Sequence, residues 1–598
     1  MRVEYTEPAA IAVPKTGNMS DDIVENAHLE PGRVVISRPV DETWEGMTAQ
    51  QFLDDVIAVA KGIIANGVQP GERIGIMSRT RYEWTLVDYA TWFAGAVNVP
   101  IYETSSAEQI QWILADSGAV AVFLETHQHK SAFDEVAVDI PDVTRVWVFD
   151  DDVLDRLRAD GIHISDADVH ERRRLATPGN PATIIYTSGT TGRPKGCTIT
   201  HGNLMFEVDN VANVLSTVLD APGASTLLFL PIAHVLGRVI QCVIVKRRAL
   251  LGHSPDLKNL VPDLQSFHPT LLLAVPRVFE RVYNGAEQKA QADGKGKIFA
   301  LAVAVAQDYS RSLDAGGPGL VLRLKHAIFD RLVYGKLRAA VGGNVQWAVS
   351  GGAPLGERLG HFFRGIGITI LEGYGLTETT AATNVNWPGA IRIGTVGRPI
   401  PGTSVRLGPD GELLYRGGQV ISSYWNNPTA TSESIDPEGW FHTGDLGEID
   451  DDGYVRITGR KKEILVTAGG KNVVPALLED RIRSHWLVSQ CLVVGDARPF
   501  VAALVTIDPD ALPAWLSQHG RPASTSVAEI VDDPDLRATI QDAIDLGNKA
   551  VSHAEAIKKF VIVPNDWSES SGEMTPSMKL KRKVIMEAYA PLIEAIYH

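Results

Sequence analysis

Cysteine is scarce in this chain. Three occur in 598 residues, Cys197, Cys242 and Cys491, far apart and without a C-x-x-C pair. That excludes a disulfide framework and a cysteine zinc site, and it fits a reducing, cytoplasmic setting. An excess of basic residues is also missing. Lysine and arginine number 56 against 72 aspartates and glutamates, a formal net charge of −16. A general nucleic-acid binder needs the opposite balance, so no nucleic-acid partner is expected. Local basic sites for an anionic ligand stay compatible with it. Long uninterrupted apolar runs are lacking too. Leu227 to Val245 has the length of a membrane span but contains Pro231, His234, Arg238 and Gln241, and a charge in mid-span is costly. It reads instead as a strand, a loop and a helix. Peripheral membrane contact stays open. Met1 to Gly17 has no apolar signal-peptide core, and Ala595-Ile596-Tyr597-His598 is no prenylation box.

The remainder is ordinary globular material: 44% hydrophobic and 21% charged residues. The length corresponds to roughly four compact units at about 150 residues each. Thr48 and Gln51 form a capping-box pattern, followed by Leu53, Val56, Ile57, Ala60, Ile63 and Ile64 at helical spacing. Asn66-Gly67 ends that helix, and Arg73 to Ser78 reads as a buried strand. A helix from Tyr82 to Ala94 leads into a strand at Val97 to Tyr102. Further strands are expected at Val120 to Leu124, Thr183 to Tyr186, Thr226 to Leu230 and Thr270 to Val275. Short strands alternating with helices predict an α/β fold with largely parallel pairing. Residues 285–340 are helical in pattern, broken at Gly316-Gly317-Pro318-Gly319. From about residue 390, short alternating segments between glycines and aspartates suggest antiparallel hairpins. A boundary is expected near Gly459 to Ile464, followed by a smaller α+β unit.

The most informative segment is Tyr186-Thr-Ser-Gly-Thr-Thr-Gly-Arg-Pro-Lys-Gly196. Glycines let backbone N–H groups wrap an anion, hydroxyls add donors, and Lys195 adds a point charge suited to phosphate. This is polyphosphate-cradle chemistry, but it is not a Walker A loop, because Gly196 follows Lys195 where serine or threonine would stand. The string resembles the signature of the AMP-forming adenylate superfamily, which includes acyl-CoA synthetases, peptide-synthetase adenylation domains and firefly luciferase. Other segments resemble that family in chain order. Ser350-Gly-Gly-Ala-Pro-Leu355 is similar to the backbone that lies along adenine. Glu372-Gly-Tyr-Gly-Leu-Thr-Glu-Thr379 is similar to the metal and phosphate segment. Trp440-Phe-His-Thr-Gly-Asp445 and Thr458-Gly-Arg-Lys-Lys-Glu463 resemble the ribose and hinge segments.

The resemblance covers about residues 30 to 590 and implies the following. ATP or AMP binds at Thr187, Ser188, Gly189, Thr190, Thr191, Gly192 and Lys195, at Gly351, Gly352 and Ala353, at Glu372, Gly373, Tyr374, Gly375 and Thr377, and at Asp445 and Arg460. Tyr374 stacks on adenine. Asp445 and Arg460 hold the ribose. Mg²⁺ sits at Thr187 and Glu378. Lys195, Glu378 and Lys579 are the catalytic residues. Aligning the family's downstream arginine on Arg582 points to Lys579 in the basic run Lys579-Leu-Lys-Arg-Lys583, with Lys581 the second candidate. Met578 stands where the family usually has glycine. Lys462 is the hinge pivot, and Gly469 and Gly470 line the pantetheine path. His234 borders the acyl site. Arg238 replaces an aromatic gate of some relatives and is expected to face a loop or the substrate entrance. The implied architecture is a large N-terminal domain of layered sheets and helices with a β-rich subdomain (1–458), a hinge (459–464) and a small α+β lid (465–598).

Val99-Pro-Ile-Tyr-Glu-Thr-Ser-Ser106, Leu230-Pro-Ile-Ala-His234 and Pro276-Arg-Val-Phe-Glu-Arg-Val-Tyr-Asn284 resemble the long-chain fatty acyl-CoA synthetase branch. The implied reaction joins a long-chain fatty acid to AMP from ATP, releases pyrophosphate, and passes the acyl group to CoA. The alternative acceptor is a carrier-protein phosphopantetheine.

Overall fold

The computed structural model describes residues 2–12, 15–40, 43–187, 193–575 and 578–598. Two large sheets organise the first 430 residues. One has seven strands, with Val97–Ile101, Arg73–Met77, Ala119–Leu124 and Arg145–Val148 running parallel. Pro181–Thr187 continues the parallel run, and Lys195–Thr200 returns antiparallel beside it. The other sheet has nine strands, whose parallel centre is Ser225–Leu228, Leu271–Ala274, Trp347–Ser350 and Thr369–Tyr374. A third, antiparallel sheet contains Glu4–Thr6, Ser404–Leu407, Glu412–Arg416, Phe441–Ile449 and Val455–Arg460. The chain ends in a smaller unit built on the three strands Val488–Val494, Val501–Ile507 and Ile557–Val563, with the helices Pro475–Arg483 and Pro534–Asn548 against them.

Local chemistry sets these elements. The helix Ala49–Ala65 begins at the Thr48 capping box: Gln51 N–H donates to Thr48 Oγ1 at 3.2 Å, and Thr48 N–H donates to Gln51 Oε1 at 2.8 Å. Its buried face, including Phe52, Val56, Val59 and Ile63, then packs in the main core. The expected helices across 285–340 are present as Pro276–Ala292, Gly296–Leu313, Leu320–Phe329 and Gly335–Ala340. The Gly316–Gly319 break falls between the second and third. The segment from Leu227 is a strand ending at Leu228, a loop, and the helix Val235–Lys246. Among the described residues no helix is long and apolar enough to cross a membrane.

Arg238 corrects one expectation. It faces neither a loop nor a substrate entrance, because it is 1% exposed and paired with Asp88, which is 0% exposed. Its Nε donates to Asp88 Oδ2 at 3.2 Å and its Nη1 to Thr183 Oγ1 at 2.5 Å. Gln241 Nε2 and Asn98 Nδ2 also donate to Asp88, at 3.1 and 2.7 Å. A helical stripe carries the arginine inward, and the neighbouring helix Tyr82–Phe93 supplies its counter-ion. The network fastens two helices to the strand that leads into the glycine-rich loop.

Removing one partner of a buried pair leaves a desolvated charge. Arg238→Met is therefore expected to cost about 3–5 kcal/mol, read as a fall in the urea midpoint. The double variant Asp88→Asn/Arg238→Met should lie nearer the wild type than the single variant. Equal losses would contradict a charge-pairing role.

Candidate functional site

The large domain brings three segments together at strand ends. Thr187 closes Pro181–Thr187 and pairs in register with Lys195, the first residue of the next strand. Glu378 sits on the short 3₁₀ turn Thr377–Thr379, just after the strand Thr369–Tyr374. Tyr424 joins them. Its hydroxyl donates to Glu378 Oε1 at 2.9 Å, and its ring lies 5.4 Å from Lys195 Nζ. Burial and the Glu378 carboxylate raise the Tyr424 hydroxyl above the ordinary tyrosine value, so it remains a donor. Tyr424 was not among the residues expected from sequence, since it lies outside every glycine-rich segment. Ser188, Gly189, Thr190, Thr191 and Gly192 lie outside the described residues.

Backbone geometry explains several glycines. A Cβ on Gly375 would lie 1.4 Å from the Ala381 carbonyl oxygen, so no side chain fits there. Gly352 has φ +85° and is exposed, with Val275 3.9 Å from where a Cβ would stand, and is followed by exposed Ala353. Gly351 is buried, and a Cβ there would lie 3.4 Å from Leu236 and 3.5 Å from the Gly373 carbonyl. Glu372 accepts from Leu355 N–H at 3.0 Å, and burial pushes its carboxyl up to about 7. Behind Glu378, Thr380 and Ala381 have φ of 52° and 89°, a left-handed conformation that costs an L-residue about 1–2 kcal/mol. Two bonds hold it: Thr380 Oγ1 donates to the Gln419 carbonyl at 2.7 Å, and Ala382 N–H donates to Glu207 Oε1 at 2.8 Å. Glu207 is fully buried, and burial raises its carboxyl well above the usual range. It was not expected from sequence either, because a glutamate inside a helical stripe carries no local signal of its partner.

A second group forms on the antiparallel sheet. Asp445 and Arg460 are register partners on adjacent strands. Arg460 Nε donates to Asp445 Oδ1 at 2.7 Å, and Tyr374 hydroxyl donates to Asp445 Oδ2 at 2.6 Å. The three predicted residues thus share one carboxylate, 6% exposed.

The small domain completes the arrangement. Lys579 lies on a tight turn: Thr575 N–H donates to the Lys579 carbonyl at 2.8 Å, and Lys579 N–H donates to Thr575 Oγ1 at 3.0 Å. Met578 takes φ 62°, which is why glycine suits that position. Arg582 fixes the base of this turn by a two-pronged bond to Glu479 at 2.7 and 2.9 Å. Water reaches the Lys579 side chain, yet protein crowds around it. Burial and the Arg460 guanidinium hold its ammonium below the ordinary lysine value, while Asp445, Glu378 and Glu463 pull it back up. Lys579 therefore stands within electrostatic reach of both groups on the large domain. It reaches His234 as well, whose imidazole is pushed down to about 4 by burial and by the Lys579 charge. His234 caps the helix Val235–Lys246, its Nδ1 accepting from Leu236 N–H at 3.2 Å, which leaves the proton on Nε2. Lys581 immediately precedes the helix Arg582–Ala588.

Further bonds hold the small domain in this position. Arg277 donates to Ser489 Oγ and Asp508 Oδ2, both at 3.2 Å, and Thr104 bonds Glu569. Of the stretch 459–464, Gly459 and Arg460 still belong to the strand Val455–Arg460. Exposed Lys462 lies in the following 3₁₀ turn Lys461–Glu463. Gly469 and Gly470 occupy the exposed turn of the hairpin Leu465–Val466/Asn472–Val473, which is tied to the small domain through Ala468 N–H and the Arg498 carbonyl at 2.8 Å.

Among the described residues there is no cluster of three or more histidine, cysteine or acidic ligands. Glu378 with the Thr187 hydroxyl nevertheless fits Mg²⁺, which takes one or two carboxylates and fills its shell with substrate phosphates and water.

The sequence profile of the AMP-binding enzyme family matches residues 23–425, and that of the AMP-binding enzyme C-terminal domain matches residues 462–598. The chain is 50% identical over its whole length to long-chain-fatty-acid–CoA ligase FadD15 of Mycobacterium bovis and of Mycobacterium tuberculosis, covering 99% of each. It is 28% identical to human long-chain-fatty-acid–CoA ligase 1, over 94% of this chain and 84% of that one. The A domain of a carboxylic acid reductase from Segniliparus rugosus, solved with AMP and a co-purified carboxylic acid, has the same fold: TM-score 0.74 at 19% identity, covering 97% of this chain and 94% of that one. With both of its parts matched, the chain belongs to the AMP-binding enzyme family.

Proposed function

We propose that the chain is a long-chain-fatty-acid–CoA ligase. The carrying observation is the pair of groups on the large domain, Tyr424 bonded to Glu378 beside Lys195 and Asp445 bonded by Arg460 and Tyr374, with Lys579 of the small domain within electrostatic reach of both carboxylates. The acid class rests on whole-length identity to two ligases of that name.

In the first half-reaction a carboxylate oxygen attacks the α-phosphorus of ATP, and the bond to the β-phosphate oxygen breaks. Both reactants are anions, so positioning and charge neutralisation carry the catalysis. Lys195 and the glycine-rich loop hold the β- and γ-phosphates. Thr187 and Glu378 would hold Mg²⁺, which neutralises charge on the departing pyrophosphate. Tyr424 fixes one Glu378 oxygen and so orients the other. Asp445 binds the ribose hydroxyls while Arg460 and Tyr374 hold it in place. Gly351, Gly352 and Ala353 lie along the adenine, beside Gly373 and Gly375. Lys579 offsets charge around the α-phosphate. Neutral His234 borders the acyl carboxylate. In the second half-reaction the CoA sulfur attacks the acyl carbon, the bond to AMP breaks, and the thiol proton is released. All three cysteines are buried, so the thiol is assigned to CoA. Lys462 is the pivot about which the small domain turns between the steps, bringing Gly469 and Gly470 to the pantetheine path.

A panel of short- to long-chain acids tests the reading. Pyrophosphate release should require a long-chain acid, and acyl-CoA should form only when CoA is present. Acyl-AMP that ignores CoA and yields to a phosphopantetheine carrier protein would move the assignment to a fatty acyl-AMP ligase.

Lys579→Ala should lower acyl-adenylate formation by about 100-fold or more, the loss typical for one transition-state charge contact. Thioester formation from supplied acyl-AMP should change little. Equal loss in both half-reactions, followed separately by pyrophosphate and thioester assays, would contradict this division of labour.

A further inference from the structure

The helix Leu320–Phe329 runs through a π turn, Asp330–Tyr334, into Gly335–Ala340. One side of it is fastened to the domain. Phe329 and Tyr334 are buried, Tyr334 hydroxyl donates to the Ala302 carbonyl at 2.7 Å, and Arg338 pairs with Asp330 at 2.7 Å. His326 lies 2.6 Å from the Gly365 carbonyl and stacks on Tyr309 at 3.9 Å. The helix cannot roll to bury its other side without breaking these contacts.

That other side is apolar. Leu320 is 84% exposed, Val321 70%, Leu324 66%, Ile328 50% and Leu332 55%. Positions 320, 324 and 328 are four apart and form one stripe along the helix. Single exposed apolar residues are common on protein surfaces, whereas five large ones along one clamped helical segment form a patch that calls for a partner. The flanking residues identify its chemistry. Arg323, Lys325, Arg331 and Lys336 are exposed beside the stripe, and none of them has an ion-pair partner among the described residues. Residues 285–340 hold nine lysines and arginines against five acidic residues, within a chain of net charge −16.

We propose that this face docks on an anionic lipid surface, with the helix lying in the interface plane. Leucine, valine and isoleucine side chains enter the acyl boundary while the arginines and lysines meet lipid phosphates. The acidic remainder of the chain is repelled from the same surface, which orients the molecule with this helix down. A second copy is a poor occupant. Two-fold pairing of the stripe would set each copy's basic flank against its partner's. The proposal is independent of the reaction assigned above.

Co-sedimentation of the full chain with phosphatidylcholine vesicles, and with vesicles containing phosphatidylglycerol, tests it. The chain should bind the anionic vesicles, and raising the salt from 0.1 to about 0.5 M should weaken binding as Debye screening predicts. Leu324→Glu/Ile328→Glu should weaken binding by about tenfold or more while the melting temperature stays unchanged. Arg323→Glu/Lys325→Glu, which leaves the apolar stripe intact, should also weaken binding, and provides the second reading if the first variant melts early. Equal binding to neutral vesicles, no binding to anionic ones, or wild-type binding by both variants would overturn the proposal. So would a wild-type dimer in analytical ultracentrifugation that either variant dissociates.

Discussion

Two anions can react only where cations are held against both, and in this chain the cations come from different domains. Lys195 stands on the large domain above the Tyr424 ring. Lys579 stands on the small domain, within reach of Glu378, Asp445 and Arg460. The opposing Arg460 charge would drive Lys579 away were Asp445 not between them in effect, accepting from Arg460 and Tyr374 and attracting Lys579. One buried carboxylate therefore balances two cations across a domain boundary. Among the described residues the remaining inter-domain bonds are few and polar, as at Arg277–Asp508 and Thr104–Glu569. Such contacts suit a domain that must leave as well as arrive.

Strain sits beside these charges. Thr380 and Ala381 adopt left-handed backbone behind Glu378, and Met578 does so before Lys579. Each is held by neighbours: Gln419 and buried Glu207 hold the first two, and the Thr575 carbonyl, accepting from Met578 N–H, holds the third. Strained backbone at a functional site persists only where its surroundings over-determine it. The Arg238–Asp88–Gln241 network performs the same service one layer deeper, under the strand that leads to the glycine-rich loop.

Much of this was legible in the sequence. Alternation of apolar strands and amphipathic helices gave the α/β class, and the Thr48–Gln51 capping box gave a helix start to the residue. Asp445 and Arg460 were expected at one ribose, and the structure pairs them in register. Lys579 was chosen by family resemblance, aligned on Arg582, and the structure ties that arginine to Glu479 beside the lysine's turn. What stayed hidden depends on contacts between distant segments. Arg238 looked like an entrance residue because its counter-ion lies 150 positions away. Tyr424 lies 46 residues from Glu378, and Glu207 lies 175 from Ala382. No local pattern encodes such partners. The stripe of Leu320–Leu332 was read only as part of a helical region, because periodicity reports an apolar face but not what covers it.

Burial, and after it the Arg460 guanidinium of the other domain, disfavour the Lys579 ammonium, and its titration tests this most directly. Reductive ¹³C-methylation of the chain, with the Lys579 signal assigned by Lys579→Arg, would follow that ammonium by NMR across pH. The account predicts titration below the ordinary lysine value, because burial and Arg460 both disfavour the charged form. In Arg460→Ala the value should rise, since a repelling cation is lost and Asp445 is freed to attract. A Lys579 that titrates as an ordinary surface lysine, unmoved by Arg460→Ala, would contradict it.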